Sequence, residues 1–333
     1  MANDRTRKLR WEHIALLVSV AWSLAYQYYV RVDCSAPSAM LQLHNEILSG
    51  TAPSPYRYRV LVPFLVDQVK TILHFLVPGR EFTMAYRGYE VAALSFTLIA
   101  LYTYFRDWFS DDRALLGSLI AAATMGLVFQ DHYLQPWSLI EPGVLALGLH
   151  LVCHDKRLLL AVLIPLAAMN RETAVMIPLA YAAAHLAEEW RQTGVGAKIK
   201  VLLRAGPYFV EWAAVFYGLR LVRGSTPQID SMQYLWSLNT QPGNVSLSMG
   251  RITMFLGVLW VFAFLGFWES PKFIQATGLI APVYVGLTLV FALWWEVRLL
   301  MPLYAVQVSV CAFRRRKGSQ SYKTSLSGPS STS

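Results

Sequence analysis

Six short clusters of ionisable side chains stand out from an otherwise apolar sequence. They are Asp33, the arginines of Pro55-Tyr56-Arg57-Tyr58-Arg59, the pair Asp131-His132, Glu141, the dipeptide Arg171-Glu172, and Glu296-Val297-Arg298. A carboxylate held at an interface can take a proton from a hydroxyl as a general base. An arginine fork can grip a phosphate through two hydrogen bonds. Ionisable groups at membrane depth are costly, so they commonly mark a substrate path.

The elements that must position these groups are membrane helices. Of 333 residues, 55% are hydrophobic and 15% charged, and the mean hydropathy is +0.39. A soluble domain carries about 25% charged residues, so a cytosolic globular enzyme, a disordered chain and a collagen-like chain are excluded. The composition predicts an all-α polytopic membrane protein. The net charge of +9 comes from 29 Lys and Arg against 20 Asp and Glu. That excess sits in short loops beside apolar spans, the pattern of topology rather than of nucleic-acid binding. Cys34, Cys153 and Cys311 show no CxxC spacing and indicate neither a disulfide framework nor a zinc knuckle, so no metal ligand is assigned. The basic start MANDRTRKLR runs into an apolar stretch without a small-residue cleavage site, which reads as a retained first span.

Candidate spans are 11–30, 89–105, 114–129, 135–153, 201–222, 252–268, 273–295 and 299–313, set against the ~20 residues a crossing needs. Seven of the eleven Trp fall near a span end, where an amphipathic ring prefers to sit. Residues 60–77 are apolar apart from Asp67, Lys70, Thr71 and His74, whose spacing makes one polar stripe and predicts an interfacial helix. Residues 158–187 are interrupted by Asn170-Arg171-Glu172-Thr173 and predict two short helices with a polar tip. This arrangement gives about ten crossings with both termini cytoplasmic. It places 18 Lys and Arg inside and 10 outside, as the positive-inside rule prefers. Residues 1–313 then form a single transmembrane domain with a first extracytoplasmic loop at 31–88. Residues 314–333 form a basic, Ser-rich, disordered cytoplasmic tail that can touch anionic lipid. All six ionisable clusters fall on the outer side.

This layout resembles the GT-C class of membrane glycosyltransferases, which take sugars from polyprenyl-phosphate carriers. The resemblance rests on Asp33 just after the first span, the stretch Gly50-Thr51-Ala52-Pro53-Ser54-Pro55, the interfacial segment 60–77, the tip Arg171-Glu172-Thr173, and Glu296-Val297-Arg298 before Pro302. It covers residues 11–313 in layout. It implies a polyprenyl-phosphate sugar donor, a glycan, lipid or protein acceptor, and an active site on the extracytoplasmic face of the inner membrane. Asp33 is then the general base, Arg57, Arg59 and Arg298 hold the phosphate, and Arg171 and Glu172 shape the pocket. The chain departs from the class in two ways: Asp33 is followed by Cys34 rather than a second acid, and no large extracytoplasmic domain is present.

Plainer readings stand beside these. Asp33 can pair with Arg31, and Arg57 and Arg59 can anchor the interface by snorkelling. An extended strand through 56–59 would aim both arginines to one side and both rings to the other. Asp131 and His132 read as a solvated turn or an acceptor contact, since adjacent residues seldom ligate one ion. Glu141, just before Pro142, faces the cavity or partners a helix bend. Arg171 and Glu172 can pair with each other. His150 and Glu211 receive only packing or hydrogen-bond roles. No P-loop, GxGxxG or HExxH occurs, which argues against a nucleotide-sugar enzyme and an ATP-driven pump. No cofactor is required, and a divalent metal is left open. Competing functions are a transporter or flippase for a lipid-linked or anionic solute, and a non-catalytic membrane subunit.

Overall fold

The computed structural model describes residues 9–32, 37–129, 135–189, 195–224, 232–257, 259–294 and 296–306. Among the described residues the regular structure is helical throughout, with no strand. In chain order the helices are α1 (Trp11–Arg31), α2 (Pro37–Ser49), α3 (Leu61–Leu73), α4 (Glu81–Arg106), α5 (Asp111–Val128), α6 (Glu141–Cys153) and α7 (Arg157–Asn170). They continue with α8 (Met176–Glu189), α9 (Val195–Arg223), α10 (Met232–Asn239), α11 (Pro242–Leu256), α12 (Leu259–Phe267), α13 (Lys272–Gly278) and α14 (Ile280–Phe291).

Among the described residues, two helical stretches, Pro136–Cys153 and Lys272–Val290, are long and apolar enough to cross a membrane. The segment expected as one span over 252–268 is broken: Pro242–Phe255 and Leu259–Phe267 meet at 65°, around Gly257 with a φ of +48°. Large apolar side chains face outward as well as inward. Trp22, Leu158, Val162, Leu202, Val210, Leu221 and Phe264 are each more than half exposed. Exposed apolar surface on this scale marks a surface that meets another apolar phase.

Pairs at both ends of the helices fix their directions. Arg10 meets Asp112 at 3.1 Å at one end of α1 and α5. The Arg31 guanidinium donates to the Gly126 carbonyl at 3.3 Å at the other, so these two helices run parallel. The Thr97 hydroxyl donates to the Leu139 carbonyl at 2.7 Å, and Asp107 accepts from His150 at 2.7 Å, so α4 and α6 also run parallel. Gly143 permits this contact, because a Cβ there would stand 2.6 Å from the Thr97 Cα. The core through α1, α4, α5 and α6 is built from small, aliphatic and aromatic residues such as Ala21, Ala121, Ala146, Leu98, Tyr102 and Phe105, all under 2% exposed.

The first loop is more structured than its sequence suggests. It contains α2, whose Met40, His44 and Ile47 are buried at helical spacing, and α3, which buries Val62, Pro63 and Val66. The stripe on α3 is ion-paired: Lys70 Nζ lies 2.5 Å from Asp67 Oδ1, and His44 Nε2 lies 3.6 Å from the same oxygen. The outward side of α3 is apolar, with Phe64, Leu65, Val69 and Ile72 exposed.

Candidate functional site

Four separate stretches of chain meet at one end of the helices. The first follows α2, which ends at Gly50 with a φ of +75°, a left-handed position that glycine reaches at no steric cost. Glu46 O accepts from the Thr51 and Ala52 amides at 2.8 and 3.0 Å, turning the chain back. Residues Tyr56–Tyr58 then form one 3-10 turn rather than an extended strand. In such a turn, residues three apart lie on the same side. Tyr56 therefore sits beside Arg59, with the guanidinium 5.5 Å from the ring centre.

The two arginines of this run diverge, contrary to the strand expectation. Arg57 donates to the carbonyls of Ala52 at 3.0 Å and Arg223 at 3.1 Å, which fastens the loop to the end of α9. The Tyr58 hydroxyl follows it and donates to the Gly224 carbonyl at 3.0 Å. Arg59 turns inward and is 4% exposed. It donates to Glu172 at 3.1 Å and to Gln135 at 3.3 Å. The Gln135 amide in turn donates to the Tyr56 hydroxyl at 3.0 Å. Trp137 completes the enclosure, its ring centre 5.8 Å from the same guanidinium.

The second stretch is a 3-10 turn at Pro136–Ser138 followed by α6, whose first residue is Glu141. The third is the break between α7 and α8. Arg171 is extended, with φ −163° and ψ 146°, so consecutive side chains leave the backbone in opposite directions. Arg171 reaches Glu141 in a buried ion pair, while Glu172 reaches Arg59. The two residues therefore do not pair with each other, as one reading of the dipeptide allowed. The other Glu141 oxygen accepts from the Thr173 hydroxyl, Asn170 donates to the Trp137 carbonyl at 3.1 Å, and Trp212 donates to the Glu172 carbonyl at 3.1 Å.

The fourth stretch is the 3-10 segment Val297–Leu303. Glu296 and Arg298 pair at 2.9 Å, with side chains 11% and 7% exposed. The Tyr284 hydroxyl donates to the Leu299 carbonyl at 2.6 Å. Tyr284 and Pro302 share with Glu141, Asn170, Arg171 and Thr173 the wall of a cavity of about 20 Å³, room for one water.

Arg59, Glu172, Arg171 and Glu141 thus form two neutralised pairs whose partners are 113 and 30 residues apart in sequence. Their exposures differ. The Glu141–Arg171 side chains are 8% and 5% exposed, whereas Glu172 is 36% exposed over a guanidinium that is only 5% exposed. The first pair is an internal brace, and the second opens to the surface. Four buried polar atoms in this cluster have no partner among the described residues: Arg59 Nε, Arg171 Nε, Trp137 Nε1 and Asn170 Oδ1. Buried donors and acceptors normally find partners, which makes these four atoms candidate contacts for a polar group.

Asp33, Asp131 and His132 lie outside the described residues. Gln135, Trp137, Asn170 and Tyr284 were not assigned from sequence. The local cues were the position of Gln135 and Trp137 around Pro136 at a span end, and that of Asn170 at the head of the polar interruption. Comparison with known protein families, with curated proteins and with solved structures finds no match to this chain.

Proposed function

We propose that this protein is an integral-membrane glycosyltransferase with about ten crossings. In this reading it moves a sugar from a polyprenyl-phosphate donor to an acceptor hydroxyl on the extracytoplasmic face. The observation that carries the proposal is the half-exposed Glu172 standing over the buried Arg59 guanidinium, backed by tyrosine and tryptophan rings and by an unused Nε. An arriving phosphate competes with Glu172 for the fork of Arg59, a charge-assisted contact strengthened by low local polarity.

In this mechanism the acceptor oxygen loses its proton to a carboxylate and bonds to the anomeric carbon of the sugar. The bond from that carbon to the phosphate oxygen breaks, and Arg59 and Arg298 stabilise the charge left on the polyprenyl phosphate. Glu141, Glu172 and Glu296 are each held in an ion pair with an arginine. Asp33, two residues after α1 in sequence, is the base in this reading. Arg57, spent on backbone carbonyls, holds the loop rather than the donor. Residues 60–77 lie along the interface in this arrangement, and both termini are cytoplasmic.

The test uses full-length protein in lipid nanodiscs, radiolabelled polyprenyl-phosphate sugars and crude envelope acceptors. Transfer by the wild type and its loss in Asp33→Asn are expected. Wild-type turnover in Asp33→Asn removes that residue from the mechanism. The α7–α8 break with its polar tip also suits a carrier for an anionic lipid-linked solute. Absence of transfer with every donor, together with solute flux into proteoliposomes, favours the carrier.

A further inference from the structure

At the opposite end of α6 from Glu141 stands a second cluster that the proposed chemistry does not use. Glu141 and Cys153 are the first and last residues of that 13-residue helix, about 18 Å apart at ~1.5 Å per residue. His150, Cys153 and His154 follow one another at i, i+3 and i+4, which places them on one face. The turn after α4 delivers Asp107 to that face. Its Oδ1 lies 2.9 Å from His154 Nε2 and its Oδ2 lies 2.7 Å from His150 Nδ1. The ligand atoms of Asp107, Cys153 and His154 all lie within 4.8 Å of one another.

The geometry points to a divalent metal site here, with a thiolate, an imidazole and a carboxylate as protein ligands, and zinc as the ion that donor set suits best. Zinc takes sulfur at about 2.3 Å and nitrogen or oxygen at about 2.0–2.2 Å in a tetrahedron. Ligand atoms around such an ion stand about 3.3–3.6 Å apart, within the 4.8 Å that bounds these three atoms. The hydrogen bond from His154 Nε2 to Asp107 is replaced by the ion, with the ring proton carried on Nδ1. The Cys153 thiol proton is released to solvent. His150 keeps its hydrogen bond to the second Asp107 oxygen, the outer partner that orients a metal-bound carboxylate. Water fills the fourth position, since His154 is exposed and Cys153 half-buried. The site joins the α4–α5 turn to the end of α6, so its role is to hold that end of the protein together. It does not depend on the glycosyl-transfer reading.

The experiment titrates chelator-treated, detergent-purified full-length protein with Co²⁺ and then with Zn²⁺. The expected result is about one Co²⁺ per chain, a thiolate-to-cobalt charge-transfer absorption, and its disappearance when Zn²⁺ is added. Cys153→Ser should abolish that absorption, while Cys34→Ser and Cys311→Ser retain it. His150→Gln should weaken affinity about ten- to hundredfold, as loss of an outer partner does. In wild-type protein Zn²⁺ should shield Cys153 from maleimide, read by peptide mass spectrometry, which requires no variant to fold. An absent charge-transfer band, a band that survives Cys153→Ser, or labelling of Cys153 unchanged by Zn²⁺ overturns the site.

Discussion

The two arginine–carboxylate pairs at the head of α6 have different energetic roles. Removing one partner from a buried pair leaves an uncompensated charge and costs about 3–5 kcal/mol, whereas replacing both with apolar groups is often neutral. Arg171→Met should therefore sharply lower the thermal midpoint of the solubilised protein, and Glu141→Leu/Arg171→Met should restore most of it. A double variant as unstable as the single one would show that the pair is not a self-contained brace. Arg59 is predicted to behave otherwise. Arg59→Lys keeps the charge beside Glu172 but loses the planar fork, so the thermal midpoint should change little while transfer falls at least about tenfold, an effect on the scale of one charge-assisted contact. These pairings left little trace in the sequence. Arg59 meets Glu172 across 113 residues, a separation no local spacing encodes. The alternation of Tyr56, Arg57, Tyr58 and Arg59 pointed to a strand, but the short-range 3-10 hydrogen bonds rotate successive side chains and send Arg57 elsewhere.

Elements, by contrast, were legible wherever a polar interruption met a long apolar run. Asn170-Arg171-Glu172-Thr173 announced the break between α7 and α8, because buried charges find partners more readily from a turn than from mid-helix. Helix α2 was passed over as loop, although Met40, His44 and Ile47 already carried helical spacing; its short length and polar outer face obscured it. Contact between α6 and α4 is set by Gly143, where an added Cβ would meet the Thr97 Cα at 2.6 Å. Overpacking of this kind costs about 1–3 kcal/mol. Gly143→Ala is expected to destabilise and to impair transfer by displacing Glu141, whereas Gly286→Ala, with nothing within 4 Å, should be neutral or mildly stabilising. Equal midpoints for the two would remove the close approach as a constraint. The α2–α3 contact carries a pH dependence. Burial, aided by the Lys70 charge, holds the His44 imidazole below its ordinary value despite Asp67. The unfolded chain therefore binds that proton more tightly than the folded one. Stability is complete above about pH 6.5, the ordinary imidazole value, and is lost as pH falls below it. The wild-type midpoint should drop on acidification through this window more steeply than that of His44→Phe; parallel curves would exonerate His44.

At the scale of the whole molecule, the Arg59–Glu172 and Glu141–Arg171 pairs and the Asp107 cluster mark two chemically distinct ends among the described residues. One end holds Arg59, Gln135, Glu141, Arg171 and Glu172; the other holds Arg10, Asp112, Asp107, His150 and His154, each set joined by its own contacts. Length and apolarity alone mark only Pro136–Cys153 and Lys272–Val290 as spans among the described residues. Helix α4 has 26 residues and carries a buried Glu90, and it does not meet that test of length and apolarity. The proposed orientation makes a direct prediction in a background with Cys34, Cys153 and Cys311 replaced by serine. Thr51 and Lys156 are both exposed, and they sit at opposite ends, beside the Arg59 loop and the Asp107 cluster respectively. A membrane-impermeant maleimide applied to intact cells should label Thr51→Cys at once and Lys156→Cys only after permeabilisation. The reverse pattern would turn the arginine-lined end toward the cytosol, where flipped polyprenyl-phosphate sugars are not presented. Immediate labelling of both would mean that the two ends do not lie on opposite sides of a membrane, and the sugar-transfer reading would fall with the topology.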